Sequence, residues 1–135
     1  MASLKTVKRI DLLYPDLSYK VVGVLFSVFN HLGYNYLEKY YERAIRAELI
    51  SLQIPFREQV SYPVKFKDKI IGRQFFDFLI DEKIILEIKR GDNFSRQDIS
   101  QTTGYLQSAN LNLAILARFS SRGLRFKRIV NLPQN

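Results

Sequence analysis

Residues 70–90 read IIGRQFFDFLIDEKIILEIKR, and this stretch decides the fold. Two runs rich in isoleucine, leucine and phenylalanine flank the polar triplet Asp81-Glu82-Lys83. Such a pattern predicts a β-hairpin with the triplet in its turn. In the antiparallel register of that hairpin, Ile80 pairs with Ile84.

This register sets charged residues side by side on the two strands. Counting outward from the turn pairs Asp77 with Glu87 and Phe75 with Lys89. Because side chains alternate along a strand, Glu87 and Lys89 share one face. Asp77 joins them across the ladder at a Cβ separation of roughly 5 Å. Two carboxylates that close can share a divalent cation.

A purely structural role for the three charged residues is the alternative. Glu87 and Lys89 lie in a run, residues 84–89, that is otherwise apolar on both faces, as expected of a strand covered on both sides. A carboxylate and an ammonium are costly to bury there unless they pair or ligate a metal. The residues alone fit both a structural ion pair and a metal site.

Composition limits the classes of function. The 135 residues, 47% of them hydrophobic, suit one domain with a packed core. No apolar run approaches the roughly 20 residues that span a bilayer, and the N-terminus lacks a signal-peptide apolar segment, so we expect a cytoplasmic protein without membrane contact. With no cysteine and one histidine, any catalytic metal needs oxygen ligands, which favours magnesium, manganese or calcium.

The charge balance indicates a polyanionic partner. Lysine and arginine number 21 against 13 acidic residues, for a net charge of +8. No acidic residue follows Asp98, whereas the same segment carries five basic ones: Arg118, Arg122, Arg125, Lys127 and Arg128. Such a basic strip can neutralise phosphates and suits a nucleic acid, and solubility alone is the alternative.

The remaining segments predict three helices and further strands. We expect residues 1–17 to form an N-terminal extension and residues 18–135 to form a single domain. The predicted elements are a helix capped by Ser18 and running to about Leu32, a helix from about Tyr36 to Leu52, strands over 54–66, 111–119 and 126–130, and a helix from a Ser95–Asp98 capping box to about Ala109.

One acidic residue on the second helix is out of pattern. Glu38 lies on the apolar stripe, three residues before Tyr41. It is either an acid of a functional site or a first-turn acid that interacts favourably with the helix dipole, worth about 0.3–1 kcal/mol. On the third helix, Gln101 and Tyr105 are four residues apart and share one face.

Several spaced blocks of the chain resemble the GxxExxY proteins, a family of the PD-(D/E)XK nuclease superfamily. The resemblance spans Ser18 to Val130, and its blocks are residues 32–42, 48–49, 55–59, 77, 87–89 and 101–106. Asn35 stands where the motif has its glycine, and asparagine tolerates a left-handed backbone better than most residues. Phe76 stands where the superfamily name has proline.

The resemblance implies a restriction-endonuclease-like α/β fold, an αβββαβ core whose central mixed sheet is flanked by helices. It implies that Asp77, Glu87 and the carbonyl of Ile88 ligate Mg²⁺, with Mn²⁺ as an alternative. Lys89 would orient or activate the attacking water and offset phosphate charge, which agrees with the chemistry of metal-assisted hydrolysis.

The same resemblance implies roles around this centre. Glu38 would be an additional acid of the site, and Gln101 would position Lys89 or the substrate, with Tyr41 and Tyr105 in support. The implied function is a metal-dependent nuclease acting on nucleic acid, with DNA favoured and a homodimer as one arrangement. The alternatives are an inactive nucleic-acid-binding module of the same fold and a structural or interaction protein.

Overall fold

The computed structural model describes residues 13–132 and confirms the α/β fold with an αβββαβ core. Residues 1–12 of the predicted N-terminal extension lie outside the described residues. The elements in chain order are α1 (Pro15–Leu32), α2 (Glu38–Ser51), β1 (Phe56–Phe66), β2 (Lys69–Ile80), β3 (Ile84–Arg90), α3 (Arg96–Ala109), β4 (Leu113–Ser120) and β5 (Gly123–Val130).

The strands form one mixed sheet in the order β1-β2-β3-β4-β5. β3 and β4 pair in parallel, and the other neighbours are antiparallel. A parallel pair needs a crossover connection, which α3 supplies. None of the helices in the described range is long and apolar enough to cross a membrane.

Two apolar clusters cover the two faces of the sheet. The larger lies between the sheet and helices α1 and α2, and the smaller lies between the sheet and α3. Every residue of β4 is buried, as are the first five of β3. Burial on both faces explains why these strands have continuous apolar runs rather than alternating ones.

The helix starts depart from the sequence prediction in two places. α1 begins at Pro15 rather than after Ser18, because the fixed φ of proline suits the first helical position. Ser18 is buried inside α1, where its Oγ accepts a hydrogen bond of 2.6 Å from Nη2 of Arg128. α2 begins at Glu38, after a loop in which Asn35 has a φ of 84°. The capping box of Ser95 and Asp98 at the start of α3 is confirmed.

The predicted hairpin register is confirmed near the turn and wrong further out. Ile80 pairs with Ile84, but the ladder between β2 and β3 ends at Phe78 and Leu86. Phe75 therefore does not pair with Lys89, and the first part of β2 pairs with β1 alone. The two strands separate at Asp77.

Side-chain alternation also changes at this point. Phe78 packs in the α1–α2 cluster, whereas Phe76, two residues earlier, packs in the α3 cluster. Gln59 on β1 stands opposite Asp77, between the paired residues on either side, and has a φ of 48°. A left-handed residue within a strand marks a local irregularity, and here it accompanies the opening of the sheet.

Candidate active site

Where β2 separates from β3, hydrogen bonds to the carboxylates of Asp77 and Glu87 replace the backbone hydrogen bonds between the two strands. The N–H of Asp77 donates to Oε1 of Glu87 over 2.6 Å, and the N–H of Ile88 donates to Oδ2 of Asp77 over 2.7 Å. Each carboxylate uses one oxygen to bind the opposite strand. The second oxygens, Oδ1 of Asp77 and Oε2 of Glu87, are not needed for these bonds.

Lys89 lies beside this pair and nearer to solvent. Its Nζ is 4.0 Å from Oε2 of Glu87, and its side chain is 28% exposed against 5% for Glu87. A contact at the outer limit of an ion pair, with one ammonium facing two carboxylates, leaves the negative charge only partly compensated. A structural ion pair alone therefore accounts poorly for a buried Glu87 beside a half-buried Asp77.

Burial shifts the titration of both acids. Burial raises the pKa of Glu87 to about 8, and the charge of Asp77 adds to the shift. Burial also raises the pKa of Asp77, although the hydrogen bond from the N–H of Ile88 opposes the increase. Two neighbouring carboxylates with raised pKa values are typical of a functional site, and a cation would relieve their repulsion.

Two glutamates on α2 complete an acidic group around Asp77. Burial raises the pKa of Glu38, followed by the charge of Asp77, while Lys89 and Arg90 oppose the increase. Glu38 thus belongs electrostatically to the Asp77 centre in addition to being the first residue of α2. Burial raises the pKa of Glu42 to about 7, again with Asp77 as the next contribution.

Glu42 and Gln59 were missed by the reasoning from sequence. Glu42 lies four residues after Glu38, so both project from one face of α2, and this spacing is a signal that could have identified it. Gln59 stands opposite Asp77 and favours the charged form of its carboxylate, which opposes the increase in its pKa. Its register position opposite Asp77 becomes evident only from the pairing of β1 with β2.

The two predicted supporting tyrosines are both buried. Tyr41 stacks on Phe119 with ring centroids 4.1 Å apart, and its hydroxyl donates to the carbonyl of Gly33 over 2.7 Å. Tyr105 packs edge-on against Tyr62, with centroids 4.7 Å apart. Burial raises the pKa of Tyr105, and the charge of Glu87 is the next contribution, so Tyr105 lies close to the acid pair.

Gln101 lies on α3, next to the hairpin formed by β1 and β2. It lines a cleft with Tyr62, Gln74 and Gly104. The predicted action of Gln101 on Lys89 or on the substrate stays a prediction.

The predicted basic strip does not form one surface. Arg118 is only 6% exposed, and its guanidinium donates to the carbonyl of Arg90 and to Asp98. This corrects the prediction for Arg118, because a guanidinium that is buried and paired through both terminal nitrogens is not accessible to a phosphate. It instead joins the end of β3 to the start of α3.

The four other basic residues are exposed but divided between faces. Arg125 and Lys127 line a cleft with Phe94, over whose ring the Nζ of Lys127 lies at 5.6 Å from the centroid. Arg128 points to the opposite face and bonds to Ser18 of α1. Arg122 lies in the turn before β5. Their contact with nucleic acid stays a prediction.

The acid pair fits a hard divalent cation as a partial ligand set. Within residues 13–132, no group of three or more His, Cys, Asp or Glu side chains is arranged to hold a metal ion. Asp77 and Glu87 would therefore supply two oxygen ligands, and water, backbone or phosphate oxygens would supply the others. Magnesium binds in this way, through one or two carboxylates plus water and substrate phosphates.

A central hairpin carrying Asp, Glu and Lys, set in a mixed sheet with helices on both faces, defines a nuclease-like α/β protein. The sequence profile of the PD-(D/E)XK nuclease superfamily matches residues 15–129, and the chain therefore belongs to that superfamily. Its nucleases generally depend on a divalent metal. No significant match was found among curated protein sequences.

Solved structures share the fold at low sequence identity. A structure described as SSO0001 has a TM-score of 0.56 and 14% identity, covering 72% of this chain and 51% of its own. An alkaline exonuclease from Laribacter hongkongensis has a TM-score of 0.50 and 14% identity, covering 70% of this chain and 55% of its own. The chain thus spans about half the length of these two structures.

Proposed function

We propose that this protein is a metal-dependent nuclease that hydrolyses phosphodiester bonds of nucleic acid, with DNA as the favoured substrate. One observation carries the proposal. Glu87 is buried and Asp77 is half-buried beside it, and each acid accepts a backbone N–H of the opposite strand through one of its two carboxylate oxygens. Lys89 stands next to them at the solvent edge.

In this proposal Asp77 and Glu87 hold Mg²⁺ or Mn²⁺, and the carbonyl of Ile88 adds a ligand. The cation would stabilise the charge that develops on the phosphate and lower the pKa of the attacking water. Since Glu87 has a pKa of about 8 without a cation, it releases a proton when its carboxylate becomes a ligand. Metal affinity is therefore expected to rise with pH.

Lys89 and the two glutamates of α2 have different roles in the proposed hydrolysis. The ammonium of Lys89 offsets the negative charge of the phosphate and orients the water, which is electrostatic stabilisation of the transition state. Of the two glutamates, Glu42 has the more suitable pKa for accepting a proton, because a group with a pKa of about 7 is half ionised at neutral pH. Glu38 adds negative charge on the same side of Asp77.

We also propose that, within the superfamily, the chain belongs with the GxxExxY proteins. Asn35 has a φ of 84°, a conformation that suits the glycine position of the motif. Glu38 lies by the acid pair, and Tyr41 holds the preceding loop through its bond to Gly33. The motif thus corresponds to one structural unit at the start of α2.

The test is a cleavage assay on substrates with and without free ends. Supercoiled plasmid, linear duplex, single-stranded DNA and single-stranded RNA are each incubated with magnesium, with manganese and with EDTA. Linear substrates are included because one of the similar structures is an exonuclease. We expect product that requires the metal and disappears in the Glu87→Gln variant.

Two outcomes separate the alternatives. Absence of product under every condition, together with salt-sensitive binding, would favour an inactive nucleic-acid-binding module. Absence of both product and binding would favour an interaction protein. Product that forms equally in EDTA would contradict the proposed role of the acid pair.

A further inference from the structure

Three exposed tyrosines flank Glu38 in the sequence, around the start of α2. Tyr34, Tyr36 and Tyr40 are 54%, 44% and 42% exposed. The rings of Tyr36 and Tyr40 are 6.2 Å apart and nearly perpendicular, at 75°. Single exposed aromatic residues need no explanation, but three together beside a candidate active site indicate a binding surface.

The loop that carries two of these tyrosines is held from inside the core. The hydroxyl of Tyr41 donates to the carbonyl of Gly33 over 2.7 Å and accepts from the N–H of Tyr36 over 3.4 Å. Tyr41 is itself fully buried and stacked on Phe119. Residues held in place before a ligand arrives lose less conformational entropy on binding, so this loop is suited to recognition.

Positive charges flank the exposed rings. The Nζ of Lys39 lies 5.2 Å from the ring centroid of Tyr40, and Cζ of Arg43 lies 5.7 Å from it. Tyr40 therefore contacts two cations, whereas Tyr34 and Tyr36 keep exposed ring surface. A surface of aromatic rings beside lysine and arginine is complementary to an unpaired nucleic-acid strand, which offers bases and phosphates together.

A cleft continues from the tyrosines toward the ends of the parallel strands. Tyr34 and Asn35 line it together with Arg90, the last residue of β3, and Ser120, the last residue of β4. Its volume is about 230 Å³. The carboxyl ends of parallel strands are where α/β proteins commonly bind ligands. Arg90 also opposes the increase in the pKa of Glu38, so the cleft borders the acidic group.

We propose that Tyr34 and Tyr36 form a stacking surface for unpaired bases of the substrate strand, while Lys39, Arg43 and Arg90 contact its phosphates. The proposal rests on the nuclease function and narrows the substrate to single-stranded nucleic acid or to frayed strand ends. A second copy of this chain is the competing occupant. The positive charges of Lys39, Arg43 and Arg90 match a polyanion, which favours a nucleic-acid strand as the occupant.

Binding without cleavage tests this surface. Fluorescence anisotropy with a labelled 12-nucleotide single strand and a matched 12-base-pair duplex is measured in EDTA for the whole chain. Stacking on an aromatic ring contributes about 1–3 kcal/mol per base, so replacing both Tyr34 and Tyr36 by alanine is expected to weaken single-strand binding at least tenfold. Duplex binding should change by less than about threefold, since it depends on phosphate contacts.

Two further variants control the result. Replacing both tyrosines by phenylalanine keeps the rings and should keep the affinity for the single strand. Tyr19→Ala removes a tyrosine that is 80% exposed on α1 and should have no effect. Because the chain has eight tyrosines and no tryptophan, quenching of tyrosine fluorescence by unlabelled oligonucleotide gives a second readout. Wild-type quenching should exceed that of the double phenylalanine variant.

Two results would overturn the proposal. One is single-strand affinity that is unchanged in the double alanine variant. The other is self-association in sedimentation experiments that the alanine variant abolishes without weakening binding to the strand. Cleavage with manganese is scored separately. If no variant cleaves but the tyrosine-dependent binding persists, the nuclease function fails and the stacking surface stands.

Discussion

Asp77 and Glu87 are joined through the backbone, because the N–H of Asp77 donates to Oε1 of Glu87 over 2.6 Å. The reciprocal bond, from the N–H of Ile88 to Oδ2 of Asp77, comes from the residue after Glu87. Each acid therefore has a structural role, which is to join the two strands, and a candidate chemical role, which is to bind the metal. Substitutions that keep an oxygen acceptor separate the two roles.

Removing one charge from the pair should abolish metal binding and preserve the fold. Glu87→Gln keeps an oxygen that can accept from the N–H of Asp77 but lacks the charge that a hard cation needs. For the wild type, a cation at 100 times its Kd is expected to raise the free energy of unfolding by about 2.7 kcal/mol. Thermal melts with manganese and with EDTA measure this difference.

Asp68→Asn is the matched control for that experiment. Asp68 is an exposed acid in the turn between β1 and β2, with a φ of 68° that asparagine tolerates. Its response to manganese should equal that of the wild type. An equal response from Glu87→Gln would show that the cation binds elsewhere.

Lys89→Ala should lower the cleavage rate by about 10²–10³-fold, the usual effect of losing one group that stabilises transition-state charge. The fold should be unaffected, because the side chain is partly exposed and its contact with Glu87 is 4.0 Å long. Single-turnover cleavage and circular dichroism give the two measurements. Lys83→Ala, in the hairpin turn, should cut like the wild type.

The metal-free protein should lose stability as the pH rises from about 5 to 8. Folding raises the pKa of Glu87 to about 8 and that of Glu42 to about 7, both from an ordinary value of 4.5. In this window the folded state holds protons that the unfolded chain releases, so the free energy of unfolding decreases with pH and levels off above 8.

Thermal melts in EDTA at pH 5 to 9 follow this dependence. Glu42→Gln removes one of the two groups and should reduce the slope. A wild-type melting temperature that increases between pH 5 and 8 would contradict the shifts of both glutamates.

Arg118→Met should destabilise the protein by about 1–3 kcal/mol, the usual effect of removing one partner of a hydrogen-bonded group that is shielded from water. The guanidinium pairs with Asp98 and with the carbonyl of Arg90, so the substitution removes a donor from each, although Asp98 keeps its hydrogen bond from the N–H of Ser95. Urea unfolding measures the loss. Arg122→Ala, at an exposed turn position, should stay within about 0.5 kcal/mol of the wild type.

The order of elements could be predicted because local signals were strong. Apolar runs identified β3 and β4, and the spacing of Ser95 and Asp98 fixed the start of α3. The hairpin register followed from its turn as far as Phe78. Beyond that residue the prediction depends on a regular ladder of backbone hydrogen bonds. The carboxylates of Asp77 and Glu87 interrupt that ladder by accepting the backbone N–H groups themselves.

The missed features depend on contacts between distant segments. Glu42 resembles an ordinary solvent-facing helix residue until β2 brings Asp77 beside it. Arg118 resembles a surface cation until α3 brings Asp98 over it. Neither neighbour is near in sequence, so the spacing of Glu42 from Glu38 could point to Glu42 as a candidate but not to Asp77 as its neighbour, and no pattern pointed to Asp98 as the partner of Arg118.

The replacement of ladder bonds by carboxylates gives the protein two natural spectroscopic reporters. The amide protons of Asp77 and Ile88 are bound to the side chains that would hold the cation. In an amide correlation spectrum their chemical shifts should respond directly to cation titration, while amides paired within the regular β4–β5 ladder stay unchanged. Occupancy of the acid pair can thus be followed atom by atom, in the absence of any substrate.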